Sequence, residues 1–179
     1  MIGFLQRLLS GVPKGFTGEL ERDETVGAAA TVRGGGHLLA TSLGLWVPEP
    51  EGPRRIGWHL VSKATWGGGA LEIVEAEEVG EAGTAVLLAD LRPRRYVVEA
   101  PGKLPQAVHR RVTGSIRSRH HRELPGGGAW FVQRKLPGRD GTVLQVRPDP
   151  GTDVELVREI AAEVAAKMSG GLPDEEHPQ

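Results

Sequence analysis

Apolar and polar positions alternate in three short runs over residues 37–76, and the rest of the chain is arranged around them. The first run, 37–47, is rich in Leu, Thr and Val and carries Trp46 near its end. Pro48, Pro50, Gly52 and Pro53 break it, because proline cannot donate to a strand ladder. The second run, 54–66, sets Ile56, Trp58 and Leu60 on one parity, the period of a strand with one buried face. Gly67, Gly68 and Gly69 form the next break. Leu71, Ile73 and then Ala76 resume the apolar pattern against Glu72, Glu75, Glu77 and Glu78. Trp46, Trp58 and Trp66 all fall in this stretch. Core packing is the plain reading of them; a stacking platform for a ligand is the sharper one.

The flanks continue the pattern. Residues 25–33 predict a first strand, turned by Gly34-Gly35-Gly36, and 84–91 and 95–99 predict two more. Leu104, Ala107, Val108 and Val112 sit at helical spacing and predict a helix of one to two turns. Residues 113–124 predict a strand with a charged outer face. A third triple-glycine turn, Gly126-Gly127-Gly128, leads into the strand 129–135, which is rich in aromatic and β-branched residues. Asp140-Gly141 marks a hairpin turn before the returning strand 142–146. Thr152-Asp153-Val154-Glu155 reads as a capping box, with the threonine as N-cap. Val154, Val157, Ala161, Val164 and Met168 follow as an apolar stripe, stopped by Gly170-Gly171. Residues 1–10 are a short amphipathic stretch with Ile2, Leu5, Leu8 and Leu9 on one side.

The expected fold is mainly β, a barrel or roll with added helix. About seven antiparallel strands form a partly open barrel, capped by one C-terminal amphipathic helix. Residues 1–15 are read as an appendage, 16–170 as a single domain and 171–179 as a disordered acidic tail. A chain of 179 residues is long enough for a real core.

Composition narrows the chemistry. There is no cysteine, so no disulfide and no thiolate ligand or nucleophile. Asparagine is absent and arginine far outnumbers lysine, which points to a GC-rich, actinobacterial source. No apolar run reaches the ~18 residues of a membrane span, and no signal-peptide pattern opens the chain, so a cytoplasmic location is expected. None of the triple-glycine sites has phosphate-loop spacing. The six histidines show no metal-binding spacing, and no serine sits in a nucleophile motif. No enzyme, cofactor or metal site is expected.

Charge is the best functional hint. The net charge is -1, but between Arg92 and Arg122 the basic side chains are opposed only by Glu99. Arg94, Arg95, Arg110, Arg111, Arg117, Arg119 and Arg122 are the candidate residues for an anionic partner. The plain alternative is a solvated face neutralised within the molecule.

The runs LLATSLGLWVP, RRIGWHLVSKATW and GGGALEIVEA, followed by hairpins and a final helix, resemble bacterial pleckstrin-homology-like (PH-like) domains, in an uncharacterised actinobacterial subset. The resemblance covers about residues 16–168 and rests on hydrophobic pattern rather than chemistry. It implies a curved, partly open barrel with the final helix plugging one end. It also implies a departure. Phosphoinositide-binding members carry a basic first hairpin loop, and here that loop, Arg33-Gly34-Gly35-Gly36-His37, has one arginine.

The leading expectation is a non-enzymatic interaction module for an unidentified protein or peptide. The alternative is an adaptor at the inner face of the membrane, using the basic 92–122 segment and residues 1–10 on anionic lipid. Nucleic-acid binding ranks third, because the arginines are not interleaved with aromatics. Self-association into a homo-oligomer stays open.

Overall fold

The computed structural model describes residues 11–170; the amphipathic stretch 1–10 and the acidic tail 171–179 lie outside the described residues. The fold is mainly β, with two sheets and a C-terminal helix. The described residues contain eleven strands: β1 Val26–Thr31, β2 His37–Thr41, β3 Gly44–Val47, β4 Arg54–Gly57, β5 Val61–Gly67, β6 Ala70–Ala82, β7 Ala85–Asp90, β8 Arg94–Val97, β9 Ile116–Leu124, β10 Gly127–Lys135 and β11 Thr142–Pro148. Helix α1 spans Leu104–Ser115 and helix α2 spans Val154–Ser169. The chain divides into two compact units. One holds the residues up to 77 with 90–117 and 134–142; the other holds 78–89, 118–133 and 143 onward.

In the first unit, β1 to β4 form an antiparallel sheet in chain order. β5 pairs with β6, and β6 with β8. A bridge between Val32 and Val98 joins the β1 end to the β8 end, with the Arg33 amide donating to the Val97 carbonyl at 2.9 Å. On the other side a 3-10 turn, Trp58–Leu60, carries β4 into β5. The ladder curls into a partly open barrel. Its core gathers Leu38, Leu45, Val47, Ile56, Trp58, Val61, Leu71 and Ile73, closed by Leu104, Val108 and Val112 of α1. β2 is buried on both faces: Leu38 and Ala40 enter this core, and Leu39 packs with Phe16 and Trp46 behind it.

In the second unit, the end of β6 lies beside β7, then β11, β10 and β9. Val157, Ala161 and Ala165 of α2 pack against Leu87, Ala129, Phe131, Leu144 and Val146.

Several expectations change in detail. The run 54–66 is two strands rather than one. Trp58 breaks it, because the indole is buried and reaches the Thr41 carbonyl at 2.8 Å. Trp46 and Trp58 are core residues as expected, but Trp66 is 37% exposed. The strand expected from residue 113 begins at Ile116. Val112 holds the third turn of α1 in the core, while the Thr113 hydroxyl donates back to the His109 carbonyl at 2.7 Å. The strands are not all antiparallel: β11 runs parallel to β7. The intervening chain, which includes α1, is long enough for the crossover that a parallel pair needs.

The α2 cap is Asp153, not Thr152. The Asp153 carboxylate accepts from the Glu155 and Leu156 amides at 3.0 and 3.4 Å. The Thr152 hydroxyl is spent on Gly128, giving to its carbonyl and taking from its amide, each at 3.1 Å. That contact explains part of the third triple glycine. A Cβ at Gly127 would collide with the Thr152 hydroxyl, so glycine serves close packing there as well as the turn. Val154 and Met168 fall at the helix ends and are 48% and 46% exposed, so the buried stripe is Val157, Ala161 and Ala165.

Candidate anion-binding groove

Helix α1 has two working faces, set by its sequence. Leu104, Val108 and Val112 recur every four residues and enter the first unit's core, with Ser115 beyond them. Lys103, Gln106, Ala107, Arg110, Arg111 and Gly114 recur at three and four residues on a second stripe. This second stripe forms one wall of a groove of about 820 Å³. The Lys135–Gly138 segment forms the opposite wall. Gly27, Ala40, Ser42 and Trp58 also line it, and most of these are small, which leaves the space open.

Beneath this lining lies a buried cation. Arg134 of β10 is 4% exposed. Its Nη2 donates to the Trp58 carbonyl at 2.7 Å and to Ser115 Oγ at 2.6 Å, and its Nη1 donates to the Val61 carbonyl at 3.0 Å. A guanidinium stays charged at any working pH, and burying it is tolerated only where its N–H groups are satisfied. Burial pushes the nearby His59 imidazole below its ordinary pKa, and the charges of Arg134 and Arg139 push it the same way.

The rim is cationic. Lys103, Arg110, Arg111 and Lys135 are exposed and form no ion pair among the described residues. No carboxylate lines the groove among those residues. Elsewhere in the same unit several arginines are neutralised. Arg54 reaches Glu75 at 2.7 Å, Arg55 reaches Glu24 at 2.6 Å and Glu21 at 2.7 Å, and Arg33 of the first hairpin loop reaches Glu99 at 2.8 Å.

The seven candidate arginines have different surroundings. Arg94 is held by Glu49 at 2.6 Å. Arg95 donates to the Gly68 carbonyl at 3.3 Å. Arg110 and Arg111 share the groove. Arg117 and Arg122 are exposed at opposite ends of β9 and on opposite parities. Arg119 is stacked over Trp130, 4.2 Å from the ring centroid. On the same ring His121 packs edge-on at 4.9 Å and meets Asp149 at 2.6 Å. Sequence reasoning missed Lys135, which lies outside the basic segment, and counted Lys103 among the basic residues of that segment without making it a candidate. The i, i+3, i+4, i+7 spacing of Lys103, Gln106, Ala107 and Arg110 was the available signal for the second face.

The described residues contain no cluster of His, Asp and Glu suited to a metal ion, and no helix long and apolar enough to cross a membrane. Fold and groove together define a mainly β protein with a helix-walled, cation-rimmed cleft. No protein-family model matches the chain, and no curated protein or solved structure matches it either.

Proposed function

We propose that this chain is a non-enzymatic, PH-like interaction module that binds an acidic segment of a partner protein in the α1 groove. The observation that carries this reading is that four cations, Lys103, Arg110, Arg111 and Lys135, line one groove without a carboxylate and without an ion-pair partner among the described residues, whereas Arg33, Arg54, Arg55 and Arg94 of the unit each meet an acid. A charge-assisted hydrogen bond is roughly twice as strong as a neutral one, so an incoming carboxylate gains where no internal acid competes. The size of the groove is within the usual range of ligand pockets, and its lining mixes apolar surface with polar groups. The PH-like part of the reading is supported by the first unit, where seven strands, β1 to β6 and β8, are followed by a helix closing the core.

Fluorescence anisotropy with labelled acidic peptides tests it. Binding is expected to weaken with salt and to fall roughly tenfold in an Arg110→Ser, Arg111→Ser double variant. Peptides that bind the double variant as well as the native chain would overturn the proposal.

The second reading is attachment to an anionic membrane surface. It is favoured by Arg117 or Arg122, each exposed on β9, on separate faces of the strand, and free of ion pairs among the described residues. Flotation with anionic vesicles that is lost in either an Arg117→Ser or an Arg122→Ser variant, but kept in the groove variant, would select it and name the face.

A further inference from the structure

Resting on the peptide-groove reading, we infer that the groove selects a partner segment with two acidic residues one polyproline turn apart, flanking an apolar residue. The spacing follows from the helix. Lys103 and Arg110 lie on the same stripe, seven residues apart, and both line the groove. At 1.5 Å per residue their backbones are about 10 Å apart along the α1 axis. In a polyproline II chain, residues three apart share a side and are separated by about 9 Å. In a β-strand, residues three apart face opposite ways, so only one of the two acids would meet the stripe. The polyproline form matches both the distance and the side.

Between the two cations the lining changes character. The neutral Gln106 and the apolar Ala107 occupy the stripe there, and Trp58 and Leu136 also line the groove. An apolar residue between the acids has surface to cover; a third acid would meet no cation of the stripe between Lys103 and Arg110. The described residues offer the groove no carboxylate of their own, so both cations await acids from the partner. A single compact anion, such as inorganic phosphate or one lipid headgroup, would engage both positions only if the Lys103 and Arg110 side chains bent toward each other. A segment of polypeptide with spaced charges engages both with the side chains extended.

Competition against a labelled acidic peptide, on the full chain, tests the spacing. Three unlabelled peptides of identical composition are compared: one with its two glutamates adjacent, one with them flanking a proline–leucine pair, and one with them at opposite ends. The middle peptide is expected to compete about tenfold more strongly than the others. Lys103→Ser and Arg110→Ser are each expected to bring it down to their level, with circular dichroism showing both variants folded. Equal competition by all three peptides overturns the spacing inference and leaves the acidic-peptide reading standing. No binding by any peptide overturns both. Displacement of the labelled peptide by inorganic phosphate as readily as by the middle peptide would show a one-anion site and overturn the inference.

Discussion

Glu24 shows how much one side chain organises. Its carboxylate is fully buried and accepts from Thr41 Oγ1 at 2.6 Å, Trp46 Nε1 at 2.9 Å, Arg55 Nη1 at 2.6 Å and the Glu21 amide at 3.0 Å. Burial by itself pushes this acid up and is the largest single influence. The hydrogen bonds from Thr41, Glu21 and Trp46, with the charge of Arg55, together outweigh it and hold the pKa below the usual glutamate value. A depressed acid stabilises the fold above its unfolded pKa and loses that contribution as pH falls through the folded value. The native melting temperature should therefore drop as pH falls below about 4. Glu24→Ala should cost about 3 kcal/mol at neutral pH in urea titration, because it strands two buried donors beside a partly buried guanidinium. Glu24→Gln should flatten the acid limb of the stability curve; an unchanged limb would assign it to other groups. Nothing in the sequence near Glu24 announces this role. It looks like one acid among several in an acidic run, and its three side-chain donors lie 17, 22 and 31 residues away.

At the scale of elements, the strands around the tryptophans and the C-terminal helix were legible because their periodicity is local. Boundaries and caps were less so. A capping box and an aspartate cap are both consistent with Thr152-Asp153-Val154-Glu155, and the choice is made by Gly128, which engages the threonine hydroxyl from strand β10. Asp153→Ala should accordingly cost about 1 kcal/mol as the loss of a helix cap. Thr152→Val should cost more, since it leaves the buried Gly128 amide without that acceptor. Thermal unfolding of the two variants checks the order, and a costlier Asp153→Ala would reverse the assignment. Helix α1 illustrates the same limit. Its apolar repeat marked a helix, but its length follows from Val112 and Ser115 being buried, and its second face matters only because a groove lies against it.

At the scale of the molecule, neither unit is a continuous stretch of chain. β6, β9 and β10 each contribute residues to both. Each unit nevertheless has its own buried cluster, around Leu104 in one and Leu87 in the other. Both leucines are essentially inaccessible, so Leu104→Ala and Leu87→Ala should each lower stability by about 2–5 kcal/mol in denaturant unfolding. A near-neutral result at either position would mean that its cluster does not support the fold. The helix expected at the C-terminus is present and packed on the second cluster. The helix packed on the first core is α1.

By itself the sequence determined the mainly β class, the strand-rich stretch around Trp46 and Trp58, and the amphipathic C-terminal helix. Each is written in a repeat of two or of three to four residues, which the chain carries locally. It also marked Arg110 and Arg111 as basic residues of interest. Only the tertiary structure decided which charges are spent. Arg94 meets Glu49 across 45 residues, and Arg33 meets Glu99 across 66, whereas Arg110 and Arg111 meet no acid among the described residues. Lys135 joins the same groove from strand β10. Charge in a sequence is a count; whether it is available to a partner depends on what folding brings within ion-pair distance.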